Sequence, residues 1–151
     1  MPSFYEELKE RAKELGMARE EFALYAAKRQ GEFTVDDYRR LPDEVRAELI
    51  DGELIYMEAP DYMHQELIME LSVAFVNCIR TNKGTCRVAL SPLDVQLDCD
   101  DRTMVQPDLA VICDEKKIVR KGICGALDLC VEVLSPSTRK KDCTLKVQKY
   151  M

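Results

Sequence analysis

The sequence predicts an α/β (α+β) domain, a sheet covered by helices, behind an N-terminal helical arm. Three observations carry this. The segments "MVQPDLAVICD" and "LDLCVEVL" are apolar on both faces, as strands inside a covered sheet are. In "YMHQELIMELSVAFVNCIR", residues 62–80, Leu67, Ile68, Leu71, Ala74, Phe75, Cys78 and Ile79 recur at helical spacing on one face. Two strand-like runs flank Asp51-Gly52 in "ELIDGELIYM", the signal of a tight hairpin.

In chain order, residues 3–29 read as two short helices. Phe4, Leu8 and Leu15 form an apolar stripe that Gly16 stops, and Phe22 and Tyr25 resume it. The segment "KELGMAREEFALYAA" resembles the first two helices of a helix-turn-helix, but no base-reading third helix follows. Residues 1–31 are therefore set apart as an arm, a degenerate helix-turn-helix or a dimerisation element, and 32–151 as the main domain. Thr34 and Asp37 fit a T-x-x-D cap before a short helix ending near Leu41-Pro42. After the hairpin and the long helix, residues 86–97 read as strand interrupted by Pro92, with "LDVQLD" alternating cleanly. The two apolar strands follow, and "DCTLKVQKYM" reads as a last helix.

A chain of 151 residues is most simply one domain with a sizeable core. The net charge of -6 argues against coating nucleic acid by bulk charge, while leaving room for a local basic site. No apolar run reaches the ~20 residues of a membrane span. The N-terminal segment lacks the apolar core of a secretory signal, so a cytoplasmic location without a membrane partner is expected. The 7 cysteines are odd in number and include no C-x-x-C pair. They are expected to be reduced thiols rather than a disulfide framework or zinc site.

Two carboxylates interrupt the apolar strands: Asp108, just after Pro107, and Glu132 in "LCVEVLS". A buried carboxylate is costly unless something pairs with it. Neighbouring strands would let the two meet at one end of the sheet, where two hard oxygen donors suit Mg²⁺ or Mn²⁺. The alternative is that each pairs with a lysine or backbone amide. After Glu132, "SPST" supplies caps for the last helix, and Arg139, Lys140 and Lys141 fall near its first turn. Cations are disfavoured there, and a bound phosphate would resolve the conflict. A solvated basic run is the plainer alternative. Asp142, Lys146 and Tyr150 are four apart and share a helix face, so Lys146 either points back to Glu132 or forms an i,i+4 pair with Asp142. His64 sits at the core-facing start of the long helix, as an active-site or a satisfied core histidine.

Together "ELIDGELIYM", His64, "VQPDLAVICD", "VEVLSPSTRKKD" and "LKVQKY" resemble the Uma-two family of restriction endonucleases over about residues 33–151. That resemblance implies the PD-(D/E)XK restriction-endonuclease-like fold, a mixed sheet flanked by helices with a metal at one sheet end. It implies Asp108 and Glu132 as metal ligands, with the main-chain carbonyl of Val133 as a third. The general pattern puts a lysine two residues after the acid, where this chain has Leu134. The family resemblance moves that role to Lys146, which would orient water and stabilise charge on phosphate. Glu48 resembles an acidic residue that such nucleases place near the metal. Family members usually continue with a further strand, so the domain is expected to be truncated at its C-terminus.

The function expected is a Mg²⁺- or Mn²⁺-dependent endonuclease that hydrolyses DNA phosphodiester bonds, with Arg139, Lys140 and Lys141 on the backbone. Such nucleases often pair to cut both strands, so a homodimer is expected. Leu134 and the acidic net charge support the alternative, an inactive nuclease fold acting as a binding module.

Overall fold

The computed structural model describes residues 27–97, 100–134 and 142–150, together with positions 6, 9, 10, 13, 23 and 25. Most of the expected arm lies outside the described residues. The chain forms two compact units, one of residues 1–58 and 101–104, the other of residues 59–100 and 105–151.

The first unit is built on the expected hairpin. β1 (Ala47–Ile50) pairs antiparallel with β2 (Glu53–Tyr56), and Ile50 faces Glu53 across the turn. Asp51 and Gly52 both have positive φ, 51° and 83°, the conformation a two-residue hairpin requires. Gly52 has a second reason to lack a side chain: a Cβ there would lie 2.6 Å from the carbonyl oxygen of Gly31. The T-x-x-D cap is present as a full capping box, with Thr34 and Asp37 exchanging bonds before α1 (Val35–Tyr38). Burial raises the Asp37 carboxyl, but bonds from Lys28 and Thr34 outweigh it and hold it below its ordinary value. Tyr25, Phe33, Val35, Tyr38, Val45, Ala47, Leu49, Leu54 and Met104 form the core, each leucine contributing about 1.5–3 kcal/mol by burial.

The second unit carries α2 (Tyr62–Thr81), capped by Asp61 and packed on β3. β3 (Arg87–Leu90), β5 (Leu109–Ile112) and β8 (Leu129–Val131) form an antiparallel sheet in the order β3-β5-β8. β4 (Val95–Gln96), β6 (Ile118–Val119) and β7 (Gly122–Cys124) form a small mixed sheet in which β4 runs parallel to β7. Gly122, with φ 136°, passes so close to Asp94 that a Cβ would lie 2.0 Å from its carbonyl oxygen. Asp142–Lys146 is a π-helical turn that runs into α3 (Val147–Tyr150). This is the α+β architecture expected, with sheets and flanking helices.

Three expectations change. β5 is buried along its whole length, but β8 stands at the sheet edge among the described residues, with Leu129 exposed. The apolar run predicted composition correctly and not position. On α2 only Ile68 is fully buried, while Leu67, Ala74 and Cys78 of the predicted face are exposed. The cysteines are not all reduced. Cys86 and Cys113 form a disulfide, and Cys124 is also disulfide-bonded; Cys78 and Cys130 are free. The reason is register. Arg87 pairs with Ile112, so the next residues outward, Cys86 and Cys113, face each other. A separation of 27 along the chain gives no hint of that.

Candidate active site

The β5–β8 ladder settles the relation between the two interrupting carboxylates. Leu109 pairs with Val131, Ala110 with Cys130 and Val111 with Leu129. Continued by one position, the register sets Asp108 opposite Glu132. Opposite residues on an antiparallel pair share a face with Cβ atoms about 4.5–5.5 Å apart. Pairing stops where the carboxylates begin, just after the buried Pro107, which has no N–H to give a ladder. On the other side, the Ser91 N–H donates to the Asp108 carbonyl at 3.1 Å and continues the β3–β5 register. Asp108 is thus held between both neighbouring strands.

On each carboxylate two donors meet at a single oxygen. At Asp108 both contacts fall on Oδ2: the Val133 N–H donates to it at 2.8 Å, and His64 Nε2 lies 3.1 Å away. The Asp61 cap, by accepting from the His64 N–H at 2.8 Å, fixes the helix start from which that imidazole reaches out. His64 Nδ1 is buried without a hydrogen-bond partner, so this is not a fully satisfied core histidine. At Glu132 two donors converge on Oε1: Lys146 Nζ at 2.8 Å and the Tyr150 hydroxyl at 2.8 Å. Lys146 is only 2% exposed and Glu132 15%, so the pair is screened little by solvent. Charge-assisted bonds of this kind are stronger than neutral ones. Cys130, two residues before Glu132 on β8, feels the same network. Burial pushes its thiol up, the Glu132 charge adds to the rise, and Lys146 opposes it.

The structure therefore brings together Asp108, Glu132, Lys146 and His64. Val133 enters through its N–H to Asp108. Leu134, where a strand lysine was expected by pattern, is half exposed. Glu48 belongs to the other unit, fully buried on β1 opposite Ile55. Arg139, Lys140, Lys141 and the "SPST" cap lie outside the described residues. Sequence reasoning missed the contact of Tyr150 with Glu132. Its signal was the four-residue spacing from Lys146, which puts both on one helix face.

Two facing carboxylates are the hard oxygen donors that Mg²⁺ and Mn²⁺ accept, and the unpartnered His64 Nδ1 shows that polar demand at this end of the sheet is not met from within. Among the described residues no group of three or more His, Cys, Asp or Glu side chains forms a metal cluster. An ion held by this pair would fill its shell with main-chain oxygen and water, as Mg²⁺ commonly does. Among the described residues, no helix is long and apolar enough to cross a membrane.

Comparison with known proteins agrees with this architecture. A crystal structure of a "putative nuclease" from Anabaena variabilis superposes with a TM-score of 0.59 at 23% identity, covering 77% of this chain and 66% of that one. At that identity the likeness shows the fold. An uncharacterized protein of Synechocystis is 30% identical over 95 residues, 63% of this chain and 48% of its own length. The chain thus matches about half the length of that relative. The Uma2 family, described as "Putative restriction endonuclease", matches residues 35–151, and the chain belongs to that family.

Proposed function

We propose that the chain carries a divalent-metal-dependent endonuclease centre that hydrolyses DNA phosphodiester bonds. The observation that carries this reading is Lys146 on Glu132 Oε1 at 2.8 Å, beside a register that sets Asp108 opposite Glu132. An acid, a second acid and a lysine then share one sheet end, although the strand itself offers Leu134.

Asp108, Glu132 and the Val133 carbonyl would hold Mg²⁺ or Mn²⁺. Bound there, the ion would activate water and screen the charge of the scissile phosphate. Lys146 orients that water and stabilises charge on the phosphate oxygens. His64 and the Val133 N–H hold Asp108 in place. Arg139, Lys140 and Lys141 would seat the DNA backbone. Two copies pair to cut both strands.

The test is purified protein with Mg²⁺ or Mn²⁺ and supercoiled plasmid, beside Asp108→Asn and Glu132→Gln. Metal-dependent nicking by wild type alone is expected. Equal nicking by all three proteins would mean that the activity is a contaminant and the assignment is wrong.

A second reading, an inactive nuclease fold acting as a binding module, draws on Leu134 and on the direct Lys146–Glu132 ion pair. It requires that Mn²⁺ binds no better to wild type than to Asp108→Asn.

A further inference from the structure

The last helix meets the sheet end through polar side chains. Lys146 and Tyr150, one turn apart, both reach Glu132, while Leu145 and Val147 on either side of Lys146 are exposed. A helix that docks only by packing would turn its apolar residues inward. Here the inward pair is an ammonium and a phenol, and both bond the same oxygen, Glu132 Oε1, at 2.8 Å.

One donor on a carboxylate oxygen leaves the group able to swing about that bond. Two donors from different directions fix its plane, and with it the direction of the second oxygen. Asp108 is held in the same way, with His64 and the Val133 N–H both on Oδ2. The common feature is that two donors meet on one oxygen of each carboxylate.

We propose that Tyr150 is a positioning residue of this centre: its hydroxyl fixes the Glu132 carboxylate against Lys146 in the orientation that metal binding and the reaction require. The inference rests on the metal-centre reading above and adds a residue to it. Tyr150 acts through Glu132 and touches neither substrate nor ion. Outer partners of this kind typically change metal affinity or activity by about 10–100-fold when removed.

The test is Tyr150→Phe, which keeps the ring and removes one hydroxyl. Calorimetric titration of the DNA-free protein with Mn²⁺ is expected to show affinity weakened by about tenfold or more. In plasmid cleavage kcat should fall while KM for DNA stays within about twofold, since no DNA contact is lost. A double-mutant cycle without metal separates positioning from packing. In a Glu132→Met background, which leaves no side-chain oxygen to accept the hydroxyl, the further change Tyr150→Phe should lower the melting temperature much less than it does in wild type. Mn²⁺ affinity and kcat both equal to wild type would overturn the inference while leaving the metal centre standing. Fully additive losses in the cycle would overturn it too, by assigning Tyr150 to packing. Wild-type protein that binds no Mn²⁺ would overturn the metal-centre reading and this inference together.

Discussion

The two ends of the β3–β5 ladder use the same backbone for opposite purposes. At the Leu90–Leu109 end the strands run out into Ser91 and Asp108, and charges are kept partly buried by specific donors: His64, the Val133 N–H, Lys146 and Tyr150. At the Arg87–Ile112 end the strands run out into a covalent link, Cys86–Cys113. The charges beside it, Arg87 and Glu115, bond at 2.7 Å with side chains 66% and 62% exposed. A solvated charge needs no particular partner, while a buried one needs each donor in place. Chemistry that depends on exact carboxylate orientation is therefore to be sought at the first end, and structural stapling at the second.

Three variants probe that contrast, read as urea-unfolding free energies without added metal. Lys146→Met should have the largest effect, a loss of about 3–5 kcal/mol, because it strands the Glu132 charge in a little-hydrated site. A loss below about 1 kcal/mol, the scale of an exposed pair, would erase the difference between the two ends. Replacing Cys86 and Cys113 together by serine should cost about 3 kcal/mol, by releasing the loop that the bond closes in the unfolded chain. Wild type in reductant, which also opens the Cys124 bond, should fall at least as far, and an unfolding midpoint insensitive to reductant would deny the staple its role. Arg87→Ala should be the mildest, within about 1 kcal/mol, and 1 M salt should narrow even that. A larger cost would mean that the far end, too, depends on its ion pair.

Much of the local structure was legible in the residues themselves. The Asp51-Gly52 turn, the Thr34 capping box and α2 follow from backbone preferences and periodicity, which act over a few residues. Asp108 and Glu132 were visible as carboxylates in apolar runs, and the need to pair them pointed to one shared sheet end. Their mutual placement was not visible, because spacing along one strand sets a face but never a neighbour. The same limit hid the Cys86–Cys113 bond and led β8 to be expected in the sheet interior. Tyr150 was seen as a face-mate of Lys146 but not as a partner of Glu132.

The amino-acid order by itself determined which segments turn, coil or extend, and which charges would be costly to bury. Those are short-range consequences of dihedral preference, capping and hydration. Only the tertiary structure decided that Asp108 faces Glu132, that Lys146 and Tyr150 share one oxygen, and that two cysteines 27 residues apart are bonded. Each of these depends on strand register and helix docking, which are set by the packing of the whole unit.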